Sequence, residues 1–193
     1  MTSRRDHLVE TALHLFYQNG FNATGIDKVL AESGVAKMTL YKHFRSKDEL
    51  ILAALQLRDE RFRNWLMTEM EKAATNPVDR LLAMFDALEV WFTGKAFKGL
   101  GFCGCAFINA AGEFSEHSHP AHRVAAEHKT RVVEYLSKLC AEAGLVNPSG
   151  VAEKLALLKE GAIVTAHVRG MPEAAGLAKE MARQVIIASQ SPE

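Results

Sequence analysis

The chain has 193 residues, 48% of them hydrophobic, which is ample apolar material for one or two packed domains. It has no run of about 18 apolar residues and no continuous apolar core in its first twenty positions, which excludes a membrane span and a secretory signal. Three cysteines, an odd number, fit reduced thiols in the cytoplasm, and 23 Lys and Arg against 23 Asp and Glu give a formal net charge of zero.

Neutrality at first argues against nucleic acid, but the distribution of charge reverses that impression. Residues 1–47 hold seven Lys and Arg against four Asp and Glu, and the remainder holds sixteen against nineteen. Attraction to phosphate is therefore local to the front of the chain, and it weakens as salt rises.

Residues 4–18 read as an amphipathic helix with Leu8, Ala12, Leu13, Leu15 and Phe16 inward, closed by Asn19 and Gly20. Arg4 and Arg5 precede it, either as arms toward DNA or as a frayed, solvated end. A short helix follows, with Thr24 as its expected cap and Ile26, Val29 and Leu30 on one face. It ends at Ser33-Gly34, where glycine takes the left-handed conformation that closes a helix. A second short helix spans about Ala36 to Phe44, with Leu40 and Phe44 inward. Lys37, Met38, Thr39, Tyr41, Lys42 and His43 are left facing out. Ser46 and Glu49 make a capping box for the next helix and place Lys47 at its start.

Two short helices at an angle, the second with an exposed polar face, describe a helix-turn-helix. The stretch resembles the TetR family of bacterial transcriptional repressors. The residues that carry the likeness are Gly20-Phe21, Thr24, Ala31, Gly34-Val35, Thr39-Leu40-Tyr41, Phe44 and the Lys47-Asp48-Glu49-Leu50 run. It covers roughly the first quarter of the chain and is mostly architectural beyond it. The resemblance implies a non-enzymatic, all-α protein with two parts: a DNA-binding domain over residues 1–47 and a helical effector-binding and dimerisation domain over 48–193. It places Lys37 and Met38 at or near the bases, and Thr39, Tyr41, His43 and Lys47 on backbone phosphates; Lys42 stands on the same face. Two departures from the family pattern stand out. Ala36 replaces the usual capping Ser, and Met38 replaces a small residue or Pro and offers apolar contact to a thymine methyl.

A long helix from Ser46 to about Ala74 runs without Gly or Pro and links the two parts. Pro77 opens a helix to about Thr93, and the glycine-rich span from Gly94 to Gly104 is the least helical region of the second part. A small-residue helix follows and ends near Phe114. Ser118 or His119 caps the next helix, which runs to about Gly144. Pro148 closes a linker before two final helices, about Val151 to Val168 and Pro172 to Ala188. By resemblance these last two pair with their copies in a homodimer; their apolar faces alone would equally serve an internal core.

The implied partners are double-stranded operator DNA, a second copy of the chain and a small-molecule effector, with no cofactor and no membrane. Phe62, Trp65, Phe85, Leu88, Trp91, Phe92, Phe102, Phe107 and Phe114 are candidate lining for an effector pocket, although aromatics at helical spacing are also ordinary core. Cys105 stands after Gly104 at a helix start, a setting that favours thiolate. The Gly-Cys-x-x-x-Asn-Ala pattern there resembles a branch of the family that responds to oxidants or electrophiles through a cysteine at that place; the other reading is a buried, inert thiol. Glu113, His117, His119, His122 and His128 supply donors of metal-binding type, but Pro120 interrupts the run and no metal-ligand spacing is present, so no metal site is assigned. The competing class is a small-molecule-binding or thiol-reactive helical protein, even an enzyme, that keeps the helical hairpin without using it on DNA.

Overall fold

The computed structural model describes residues 3–190. Among them the chain forms α-helices only: α1 (Arg4–Asn19), α2 (Ile26–Ser33), α3 (Lys37–His43), α4 (Lys47–Ala73), α5 (Pro77–Phe92), α6 (Ala106–Glu113), α7 (Pro120–Glu142), α8 (Pro148–Arg169) and α9 (Ala174–Ile187). The all-helical expectation holds, and most boundaries fall within a residue or two of those expected.

The chain packs as two units. One contains the helices up to Arg61 together with Ala106–His128, and the other contains Phe62–Cys105 and the chain from Lys129 on. This grouping places α6 and the start of α7 with the N-terminal helices, which a division after residue 47 does not.

In the first unit α1 packs on α2 and α3. Its core is built from Leu8, Ala12, Leu13 and Phe16 with Phe21, Val29, Leu40, Phe44 and Leu50, all buried. The N-terminus of α1 has a local acceptor for one of its orphan amides. The amide of Asp6 donates to Ser3 Oγ at 3.1 Å. Arg4 and Arg5 therefore belong to a capped first turn and are not a frayed end, and the Arg5 guanidinium lies 5.2 Å from the centre of the Phe44 ring.

Thr24 does not cap α2. It is wholly buried and its hydroxyl donates to Leu15 O at 3.3 Å, so the N-cap position passes to Gly25, which offers no side-chain bond. The capping box before α4 does form: the Glu49 amide donates to Ser46 Oγ at 3.2 Å, and the Arg45 amide donates to Glu49 Oε2 at 2.7 Å. In the turn between α2 and α3, Gly34 is left-handed at φ 65° and its amide donates to Leu30 O at 3.0 Å.

In the second unit α8 packs on α9 and both pack on α5. Asn76 accepts from the amides of Val78 and Asp79, and Pro77 starts α5 where a missing N–H costs nothing. Pro148 plays the same part for α8 and lies inside the helix rather than ending a linker. The cap there is Asn147, whose side chain accepts from the Gly150 amide while its own backbone is left-handed at φ 53°. Residues 94–105 are non-helical, as the glycine spacing predicts. Gly104 is irreplaceable on two grounds: its φ is 77°, and a Cβ added there would lie 2.5 Å from His167 Nδ1.

The caps give a direct measure of how much local satisfaction contributes. Asn76→Ala leaves two α5 amides without their acceptor and should lower unfolding stability by about 1 kcal/mol, read as a reduced urea midpoint with an unchanged slope.

Candidate nucleic-acid interface and effector site

The exposed face of α3 carries the expected side chains. Leu40 and Phe44 are buried and anchor the helix, which leaves Lys37, Met38, Tyr41, Lys42 and His43 exposed and Thr39 half-buried. Met38 is 84% exposed and Tyr41 46%, large apolar surfaces that nothing in the first unit covers. Ala36 occupies the N-cap position and makes no side-chain cap, so the first amides of α3 have no side-chain acceptor. Lys37 sits 3.8 Å from Asp27 Oδ1 across the turn, an exposed pair of little energetic weight.

Lys47 begins α4, and its Nζ donates to Asn22 O at 3.0 Å. That oxygen belongs to the turn between α1 and α2, which is held from the other side by Glu113. The amides of Phe21 and Asn22 donate to Glu113 Oε1 at 2.8 Å and Oε2 at 2.6 Å. Both carboxylate oxygens are thereby used on backbone, which removes Glu113 from any metal site. His117 and His122 stay together, their rings edge-on at 4.5 Å, while the remaining histidines take separate partners. His128 is buried against Asp59 at 2.7 Å with its ring stacked 3.7 Å from that of Phe107, His119 stacks on Phe114, and His122 Nδ1 contacts Phe114 O at 2.9 Å. Among the described residues no group of three or more His, Cys, Asp or Glu is arranged to hold a metal ion.

The aromatic set divides between the two units. Phe62, Trp65, Trp91, Phe92 and Phe102 interlock in the second unit, joined by Phe97, with centroid separations from 4.8 to 6.3 Å. Phe85 and Leu88 are buried on α5 of the same unit. Phe107 and Phe114 belong to the first unit, where Phe114 meets Phe21 edge-on at 6.0 Å.

Cys105 immediately precedes α6 and is buried. Lys129 Nζ lies 3.3 Å from its sulfur and also donates to Glu160 Oε2 at 2.6 Å. Lys159, only 1% exposed, donates to Glu160 Oε1. Burial pulls the Lys129 ammonium down, but the charges of Cys105 and Glu160 more than restore it, and its pKa rises. Burial and the neighbouring Lys129 charge lower that of Lys159 despite Glu160. For Glu160 burial would raise the carboxyl, yet Lys159 and Lys129 hold it at about 2. Desolvation raises the Cys103 thiol and pushes Cys140 up to about 11.

Sequence reading had no place for Lys129, Lys159 or Glu160. A signal existed for Lys159, because it stands on the buried stripe of α8 with Leu155, Ala162, Ile163 and Ala166. A lysine at that register must find a carboxylate or give up its proton.

The fold and the exposed second helix of the hairpin define a helical, DNA-binding regulator of transcription. Family comparison agrees along most of the chain. Residues 8–54 match the description "Bacterial regulatory proteins, tetR family", and residues 77–182 match "Tetracyclin repressor-like, C-terminal domain". The chain belongs to the TetR family.

Among curated relatives, the transcriptional repressor KstR2 of Mycolicibacterium smegmatis is 33% identical over 94 residues, 45% of this chain and 44% of the relative. The regulator YjdC of Escherichia coli is 22% identical over 160 residues, 83% of this chain and 81% of the relative. The chain spans less than half the length of most of the curated relatives it matches, KstR2 included. Among solved structures, SCO4454, a TetR-family transcriptional regulator from Streptomyces coelicolor, superposes with a TM-score of 0.86 at 27% identity, covering 97% of this chain and 96% of that one. The reduced form of E. coli NemR has the same fold, with a TM-score of 0.82 at 24% identity over 95% and 97% of the two chains. Among the described residues no helix is long and apolar enough to cross a membrane.

Glu160 has a pKa held below its ordinary value of 4.5, at about 2. Its contribution to stability is therefore complete above pH 4.5 and is lost as pH falls through about 2. Glu160→Gln should destabilise the protein most near neutrality, and the gap between variant and parent in chemical denaturation should narrow steadily across that acidic window.

Proposed function

We propose that the protein is a homodimeric repressor that binds operator DNA through α3, acts in the cytoplasm, and is released by a small-molecule effector or by modification of Cys105. The observation that carries the DNA reading is the outward face of α3, on which Met38 and Tyr41 are held exposed by the burial of Leu40 and Phe44. Lys37 and Met38 address the bases. Thr39, Tyr41, Lys42, His43 and Lys47 address phosphates, Lys47 by leaving or sharing its bond to Asn22 O.

The dimer reading rests on two apolar stripes. Leu157, Val164 and Val168 are exposed along one face of α8, and Leu177 and Met181 are exposed one turn apart on α9. Gly161 continues the α8 stripe with no side chain to keep a second helix away. Exposed apolar rows on adjacent, tightly paired helices are what a four-helix interface between copies buries.

Effector control through Cys105 is supported by the ammonium of Lys129 beside its sulfur, a setting in which thiols become reactive. Cys140 lacks it: burial keeps that thiol protonated. The relatives' names carry both signs of control, repressor for KstR2 and activator for FasR.

Fluorescence anisotropy on DNA from immediately upstream of the chain's own gene tests the DNA reading. Tyr41→Ala with Lys47→Ala should weaken binding at least about tenfold and flatten its salt dependence; unchanged affinity would overturn the assigned contacts. In the same assay the reduced parent should release DNA on mild oxidation and rebind on reduction, whereas Cys105→Ser should bind and ignore the oxidant. A Cys105→Ser variant that still responds would remove this thiol from the mechanism. Val168→Glu with Met181→Glu should convert the dimer to a folded monomer by light scattering.

A further inference from the structure

Lys129, Lys159, Glu160 and Cys105 form one cluster in the second unit in which hydrogen-bond donors outnumber acceptors. Glu160 lends one oxygen to each lysine, and Lys129 has only the Cys105 sulfur besides. Each ammonium carries three donors, so two cations with six N–H bonds share one carboxylate and one thiol. Lys159 is buried, whereas Lys129 and Glu160 are part-exposed at the edge of the cluster. A cavity of about 220 Å³ lies against the cluster between α7 and α8, bounded by both lysines and by Val132, Val133, Ala156 and Leu157. Glu153 and Glu160 are its acidic neighbours, Glu153 being exposed and Glu160 already engaged with both lysines.

We propose that this cavity binds a small carboxylic acid, its carboxylate taking the remaining donors of Lys129 and Lys159 and its hydrocarbon body lying on the Val132, Val133 and Ala156 walls. The volume falls below the ~300–1,000 Å³ of sites for drug-sized ligands, which selects a short-chain or single-ring acid. The walls disfavour an inorganic anion, which has no apolar part to place there. Burial, and after it the neighbouring Lys129 charge, lowers the pKa of Lys159, and a bound carboxylate offsets the second of these. The site is independent of the DNA reading; its use as the effector site of the repressor rests on that reading.

Calorimetric titration of the full-length chain at neutral pH decides the matter, with benzoate and hexanoate as probes and benzamide and hexanamide as uncharged matches. The acids should bind with millimolar or tighter affinity, and the amides at least about tenfold more weakly. Lys159→Met and Lys129→Met each leave Glu160 with one lysine, a balanced pair, so both should keep the parent's circular dichroism and lose at least about tenfold in acid affinity. Equal binding of acid and amide, no heat from either acid, or acid binding unchanged in both variants overturns the site. Operator release by the acids in the anisotropy assay would make it the effector site. Acid binding that leaves the operator complex intact would keep the site and overturn its regulatory use, and a chain that fails to bind operator at all leaves the calorimetric result standing.

Discussion

The carboxylate of Glu113 holds the amides of Phe21 and Asn22, and the arrangement of the DNA-binding unit depends on that grip. A turn between two helices exposes backbone donors that neither helix can satisfy. Here both are satisfied by a side chain more than ninety residues away in sequence. The same turn presents its Asn22 carbonyl to Lys47, so α6, the end of α1 and the start of α4 meet on one short piece of backbone. Phe21 then packs on Phe16 and Phe114, which seals the turn with apolar contact. The hairpin of α2 and α3 follows directly from this fixed point, and Gly34 sets its bend.

Much of this was legible in the sequence because it is local. Helical periodicity, the Gly34 stop, the Ser46–Glu49 box and Pro77 at a helix start are decided within four residues of where they act, and the structure repeats each. The misreadings have one cause, a choice between a local and a distant partner. Thr24 had a plausible cap in reach but is drawn inward to Leu15 O. Glu113 looked like one donor among histidines because its partners lie far upstream. Of the site residues, the α3 face could be read from the burial of Leu40 and Phe44 alone. The surroundings of Cys105 could not, since Lys129, Lys159 and Glu160 come from two other helices.

Three thiols in one chain show how strongly neighbours govern chemistry. Cys140 and Cys105 are both buried, yet the first has only apolar desolvation around it and the second has an ammonium at 3.3 Å. Burial alone makes a thiol inert, whereas burial beside a charge makes it selective. The cluster around Glu160 also accounts for the opposite displacements of its two lysines. Lys129 has Glu160 and the Cys105 sulfur beside it to offset its partial burial, while Lys159 is deeper and has Glu160 with a rival cation beyond it.

Met38 projects 84% exposed from a helix whose fold is secured by Leu40 and Phe44 on its other side. No other part of the first unit rests on it, so exchanging it carries almost no penalty in folding. Under the proposed contact of Met38 with the bases, target choice and foldability are separable in this chain. Successive replacements at that one position would then let descendants of the protein drift toward new operators without first acquiring compensating changes in the core.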